Sequence, residues 1–171
     1  MKRNYLLYLT FYFLLISNSS IGQTKSASDF LNFTKQNFLA KSLQLKNGNW
    51  KIIQPTSSET KKAITTKTTL YGKEILSKQY YIILKYASSS ETNTKVEKTT
   101  IELTSGKEFD KWVDELENLG YNFKKVTGQN GHLYSGEKGM MIDAGINNIE
   151  KSESEWTYEI SIMIDNKFKI Y

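Results

Sequence analysis

His132 is the only histidine of the chain, and it sits among glycines in TGQNGHLYSGEKGMM, residues 127–141. An imidazole there could act as a general base if a nucleophile and an orienting carboxylate joined it. Ser135 is the nearest serine, but in an extended segment a residue three positions on points to the opposite face. No G-x-S-x-G elbow presents another serine. Zinc wants three or four ligands, mostly nitrogen or sulfur, and the chain offers one histidine and no cysteine. The glycines at 136 and 139 form neither a GxGxxG nor a GxxxxGK[ST] phosphate cradle. The segment therefore reads as a β-hairpin with His132 as an exposed polar residue beside a turn, and no catalytic residue, metal or cofactor is expected.

Carboxylates are the remaining catalytic option, since a glycosidase needs two acids facing each other across a cleft, one with a raised pKa. Glu108, Asp110, Asp114, Glu115 and Glu117 cluster in sequence, but they occupy the polar side of an amphipathic helix, where such charges serve solvation and capping. Asp143, after the apolar run Met140-Met141-Ile142, is the more isolated acid, and its spacing names no partner.

The elements that would position these groups are legible from period and caps. Ser105-Gly106-Lys107-Glu108 has the form of a capping box, followed by Phe109, Trp112, Val113, Leu116 and Leu119 at helical spacing, with Gly120 as the stop. A first helix starts from Ser26 or Ser28, with Asp29 in its first turn and Phe30, Phe33 and Phe38 among its apolar positions. Strict alternation in EWTYEISIMI sends Trp156, Tyr158, Ile160, Ile162 and Ile164 one way and Thr157, Glu159 and Ser161 the other. KQYYIILKYA is apolar on both faces, because Tyr81 and Ile83 oppose Tyr80, Ile82 and Leu84; it reads as a central strand or one that faces something. Further strands are expected over 50–53, 63–71, 95–104, 121–126, 132–135 and 139–146, with PTSSETKK and SSSETNTK as loops.

Helix then strands, twice over, predicts an α+β fold: an antiparallel sheet with two helices packed on one face. A tandem duplication is an open alternative, with halves 26–87 and 105–165. An offset of 79 superposes Ser26, Asp29 and Phe30 on Ser105, Glu108 and Phe109, and one of 78 superposes Tyr80, Ile82 and Leu84 on Tyr158, Ile160 and Ile162.

The N-terminus, MKRNYLLYLTFYFLLISNSSIGQ, has the parts of an export signal: Lys2 and Arg3, an apolar stretch over 5–16, then small residues at Ser20 and Gly22. Cleavage is expected between Gly22 and Gln23. Twelve helical residues reach about 18 Å, short of the roughly 30 Å of a bilayer core, so no stable membrane insertion is expected after cleavage. Without cysteine there is no lipid attachment point and no disulfide. Removing 22 residues from 171 leaves 149, enough for one domain over 23–171 with its own core. The sequon Asn32-Phe33-Thr34 falls in the first expected helix. A bacterial, Gram-negative export product, periplasmic or extracellular, is the expected setting.

Cleavage also removes two cations, leaving 21 against 18 acids, and Arg3 is the only arginine. Reading guanine or phosphate relies heavily on arginine's planar fork, so specific nucleic-acid binding is not expected. What remains is recognition by surface. The leading residues are Tyr81 and Ile83, which form an exposed patch if no helix covers their face. The expected function is a non-enzymatic exported module that recognises protein, of inhibitor or immunity type. The alternative is an envelope protein binding glycan or another small ligand, including a carboxylate-dependent hydrolase. Partner identity is not written in the sequence.

Overall fold

The structure, a computed structural model, describes residues 26–125, 131–136, 140–148 and 152–165. The expected leader and its Gly22–Gln23 cleavage point lie outside the described residues, as do most of the turn positions of the 127–141 segment.

Helical structure begins with Ser26, whose hydroxyl accepts from the Asp29 amide and caps α1, Ala27–Thr34. The expected first helix is in fact two helices. Inside its last turn Thr34 donates to the Leu31 carbonyl at 2.8 Å, and Asn37 then caps α2, Phe38–Asn47, by accepting from the Ala40 amide. This break separates the apolar positions Phe30 and Phe33 on α1 from Phe38 on α2. α2 ends with Asn49 at φ 62, where the Asn49 and Trp50 amides reach back to the Lys46 and Leu45 carbonyls.

α3, Gly106–Asn118, starts from Ser105, which accepts from the Glu108 amide. Glu108 reaches one residue further back than a capping box requires, taking the Thr104 amide and hydroxyl. It closes as α2 does: Gly120 has φ 87, and the Gly120 and Tyr121 amides return to the Glu117 and Leu116 carbonyls.

Each helical segment feeds a four-stranded antiparallel meander. The first comprises β1 (Lys51–Lys61), β2 (Ile64–Ile75), β3 (Lys78–Ser89) and β4 (Lys95–Leu103). The second comprises β5 (Lys124–Lys125), β6 (His132–Ser135), β7 (Met140–Asn147) and β8 (Thr157–Asp165). They join along β4 and β8 into one eight-stranded sheet of order β1-β2-β3-β4-β8-β7-β6-β5. The first helix-plus-meander unit thus runs through Leu103, and β3 corresponds by position to β7, while β8 corresponds to β4. The 78-residue superposition of β3 on β8 therefore does not follow the topology.

β1 corrects the reading of PTSSETKK as a loop. It is an edge strand, exposed along its whole length, with register shifts on both sides of Gln54. Pro55 cannot donate to a ladder, and beside a bulge on an edge it does not have to. Those irregularities and the flanking lysines also blunt the free edge.

All described helix-to-sheet contacts go to one face. Phe109 packs on Tyr158 at 5.7 Å between ring centroids, and Phe38 meets Tyr86 edge-on. Tyr80 donates to Glu108. Ile82, Leu84, Ile101, Ile142, Ile160 and Ile162 line this face, each at most 1% exposed. Phe30 of α1 packs on Trp112 of α3, and the Glu115 carboxylate accepts the Ala27 and Ser28 amides, tying the start of α1 to the C-terminal part of α3. Lys41 is buried beneath α2, donating to Glu97 at 2.7 Å and Thr99 at 3.3 Å. No helix among the described residues is long and apolar enough to cross a membrane.

Candidate functional site: the uncovered sheet face

Residues paired across an antiparallel ladder share a face, so the registers define what lies opposite the helices. One row crosses the sheet as Gly72, Tyr81, Glu102, Glu159, Gly145 and His132. The next runs Leu70, Ile83, Thr100, Ser161, Asp143 and Tyr134. A third holds Thr68, Lys85, Lys98, Met163 and Met141. No described helix covers these rows.

Tyr81 and Ile83 thus project from the uncovered face, half-buried among their neighbours. Thr100 and Ser161, further along the row of Ile83, are 5% and 4% exposed and hydrogen-bond each other at 2.7 Å. Ile53 of β1 leans over Gly72, where an added Cβ would come within 2.8 Å of it. The glycine's bare backbone lets Ile53 and Tyr81 lie on the same patch.

Charge is laid out by kind. Glu102 and Glu159 are direct cross-strand partners, as are Lys85 and Lys98. Like charges set opposite one another disfavour the sheet. The Glu102 carboxyl is held above its usual range, first by burial and then by Glu159. None of the four makes an ion pair or a hydrogen bond with a described side chain. The two glutamates project side by side from adjacent strands, so they do not oppose each other across a cleft as glycoside hydrolysis requires.

His132 differs from the exposed hairpin residue expected from sequence. Its Nδ1 lies 2.9 Å from Asp143 Oδ1, with the two side chains 25% and 26% exposed. The ring stacks on Tyr134 at 6.2 Å and 19°, over the backbone of Gly145, where a Cβ would overlap the imidazole. Burial, then the Asp143 charge, raises the Tyr134 phenol. Asp143 thereby gains the partner that sequence spacing did not name. The hairpin carries the signal, because its register sets Asp143 diagonal to His132. Ser135 points to the helix side and is buried, and Ser161 is engaged with Thr100, so neither of these two serines completes a triad. Among the described residues no group of three or more His, Asp or Glu is placed to hold a metal ion.

On the helix side a cavity of about 240 Å³ opens where the α1–α2 junction meets the sheet, with Lys35, Asn37, Tyr86, Lys95 and Glu97 in its wall. Comparison with protein-family models, with curated proteins and with solved structures finds no match for this chain.

Proposed function

We propose that the chain is an exported, non-enzymatic module that recognises protein through the uncovered face of its sheet. The observation that carries this reading is one-sidedness. The three described α-helices pack on one face, while the other presents Tyr81, Ile83 and Met141 beside charged side chains that lack a counter-ion among the described residues. Apolar anchors bordered by polar groups are the anatomy of a protein interface. Export rests on the leader-like residues 1–22, whose pattern supports a bacterial periplasmic or extracellular setting.

The test is affinity capture from envelope extracts with the exported chain and with Tyr81→Ser and Ile83→Ser, each checked by thermal melting. A protein retained by the wild type and lost with either variant supports the reading; one retained undiminished by both overturns it. The cavity beside Tyr86 and Glu97 favours a second reading, a site for a small polar ligand. Glu97→Gln and Tyr86→Ala would weaken such binding and leave protein capture unchanged.

A further inference from the structure

We infer that the uncovered face docks a second copy of this chain, related by a two-fold axis that runs along the row of Ile83, Thr100 and Ser161. The inference rests on the docking reading above and names an occupant for that surface. Its basis is that the face is complementary to itself. The acid pair, Glu102 and Glu159, lies on one side of this row, and the lysine pair, Lys85 and Lys98, lies on the other. Along β4, Lys98 and Glu102 are four residues apart, about 14 Å, too far to neutralise each other within one chain. The row between them is uncharged at Ile83, Thr100 and Ser161, and the acid further along it, Asp143, already has His132 as its partner at 2.9 Å.

Two sheets stacked face to face, about 10 Å apart, can be related by a two-fold axis in the plane between them. If that axis ran along the strands, each row would meet itself, glutamates against glutamates and lysines against lysines. If it runs along the middle row, the glutamate row of one copy meets the lysine row of the other. Ile83 then packs near its own counterpart, and Glu102 stands opposite the second copy's Lys98. Charge selects the second arrangement. It also relieves both like-charge pairs at once, with each of these two residues used twice as an isologous contact requires. A target protein that uses this face displaces the copy.

Sedimentation velocity on the exported chain, from micromolar to millimolar concentration, reads the result. The wild type is expected to dimerise at low salt and to weaken as salt rises. Glu102→Lys and Lys98→Glu each raise the dimer dissociation constant by about tenfold or more. An equimolar mixture of the two restores a dimer, because a chain with two lysines at these positions then meets one with two glutamates. The chain lacks cysteine, so Ile83→Cys gives a single thiol that a short bifunctional reagent links between copies. That readout holds even where a charge reversal perturbs folding. A wild type that stays monomeric throughout, a dimer indifferent to both reversals, or a thiol at 83 that never cross-links overturns the proposal. Loss of target capture with Tyr81→Ser in a monomeric chain would retain the docking reading and discard the second copy.

Discussion

Glu102→Gln should make the folded chain more stable, although it removes a charge from a protein surface. The carboxylates of Glu102 and Glu159 extend from directly paired residues, which sets them about 6 Å apart. Two unit charges at that distance repel by about 0.7 kcal/mol at the dielectric constant of water and by about 3 kcal/mol at an effective value near 20. The pair is only partly buried, so the lower end applies. Measured cross-strand pair energies of about 0.2–1 kcal/mol agree. A gain of about 1 kcal/mol at neutral pH corresponds to about 2–4 °C in Tm for a domain of this size.

The pH dependence separates this cause from a general benefit of glutamine. Glu102 has its pKa raised from 4.5, by burial and then by Glu159, so the folded chain binds its proton more tightly than the unfolded chain. Its contribution is therefore most favourable below the ordinary carboxylate range and declines as pH rises through the elevated value. The gain from Glu102→Gln should appear at pH 7 and fade below about pH 4. Glu159→Gln should bring a comparable gain, and the double variant less than the sum of the two, because the repulsion can be removed only once. Chemical denaturation at pH 7 and pH 3.5, in chain dilute enough to be monomeric, measures all four corners. Destabilisation by Glu102→Gln at pH 7, or an identical effect at both pH values, would refute the reasoning.

Two further perturbations probe the helix side and the histidine. Lys41→Met leaves Glu97, whose side chain is 24% exposed, without its ammonium partner; a loss of about 2–3 kcal/mol is expected, below the full cost of breaking a wholly buried pair. Adding Glu97→Gln should recover more than half of that loss in denaturant melts, and a single variant as stable as wild type would contradict the buried pairing. Gly145→Ala sets a methyl group into the space of the His132 ring and should cost about 1–2 kcal/mol, together with the Asp143 hydrogen bond, seen as a changed imidazole resonance by NMR. In a His132→Ala background the same substitution should cost almost nothing, and an undiminished cost there would show that the ring is not what fills the space.

Much of the fold was legible because period and caps act locally. Ser105 and Gly120 bracket α3 as their chemistry requires, and the alternation of EWTYEISIMI matches β8 except that Trp156 precedes the strand. KQYYIILKYA carries apolar residues on both faces and is an interior strand with one face toward the helices and one uncovered. The start of β1 was expected over 50–53, but its continuation through PTSSETKK was missed, because an exposed edge strand carries no hydrophobic pattern there and Pro55 argues against a ladder wherever no bulge excuses it. The duplicated topology was half legible for a related reason. The broken helix α1–α2 and the long strands β1 and β2 lengthen the first unit, so equivalent positions do not keep one offset. The caps Ser26 and Ser105 are 79 residues apart, but the helix-terminating positions Asn49 and Gly120 are 71 apart.

The charge layout of the uncovered face was not legible, and the reason is geometric. Glu102 and Glu159 become neighbours only because the two meanders meet along β4 and β8 in one particular register. A shift of that register by one residue would turn every Ile of β8 away from the helices. The burial of Ile160 and Ile162 against the core therefore excludes such a slip, and in the register adopted the glutamate pair lies on the other side. The core thus imposes a repulsion that the sheet alone has no means to relieve, since Lys85 and Lys98 stand two rows away in the same lock. Relief must come from a proton, from salt or from an opposing surface with the rows reversed, which is why titration and self-association interrogate one and the same feature of this fold.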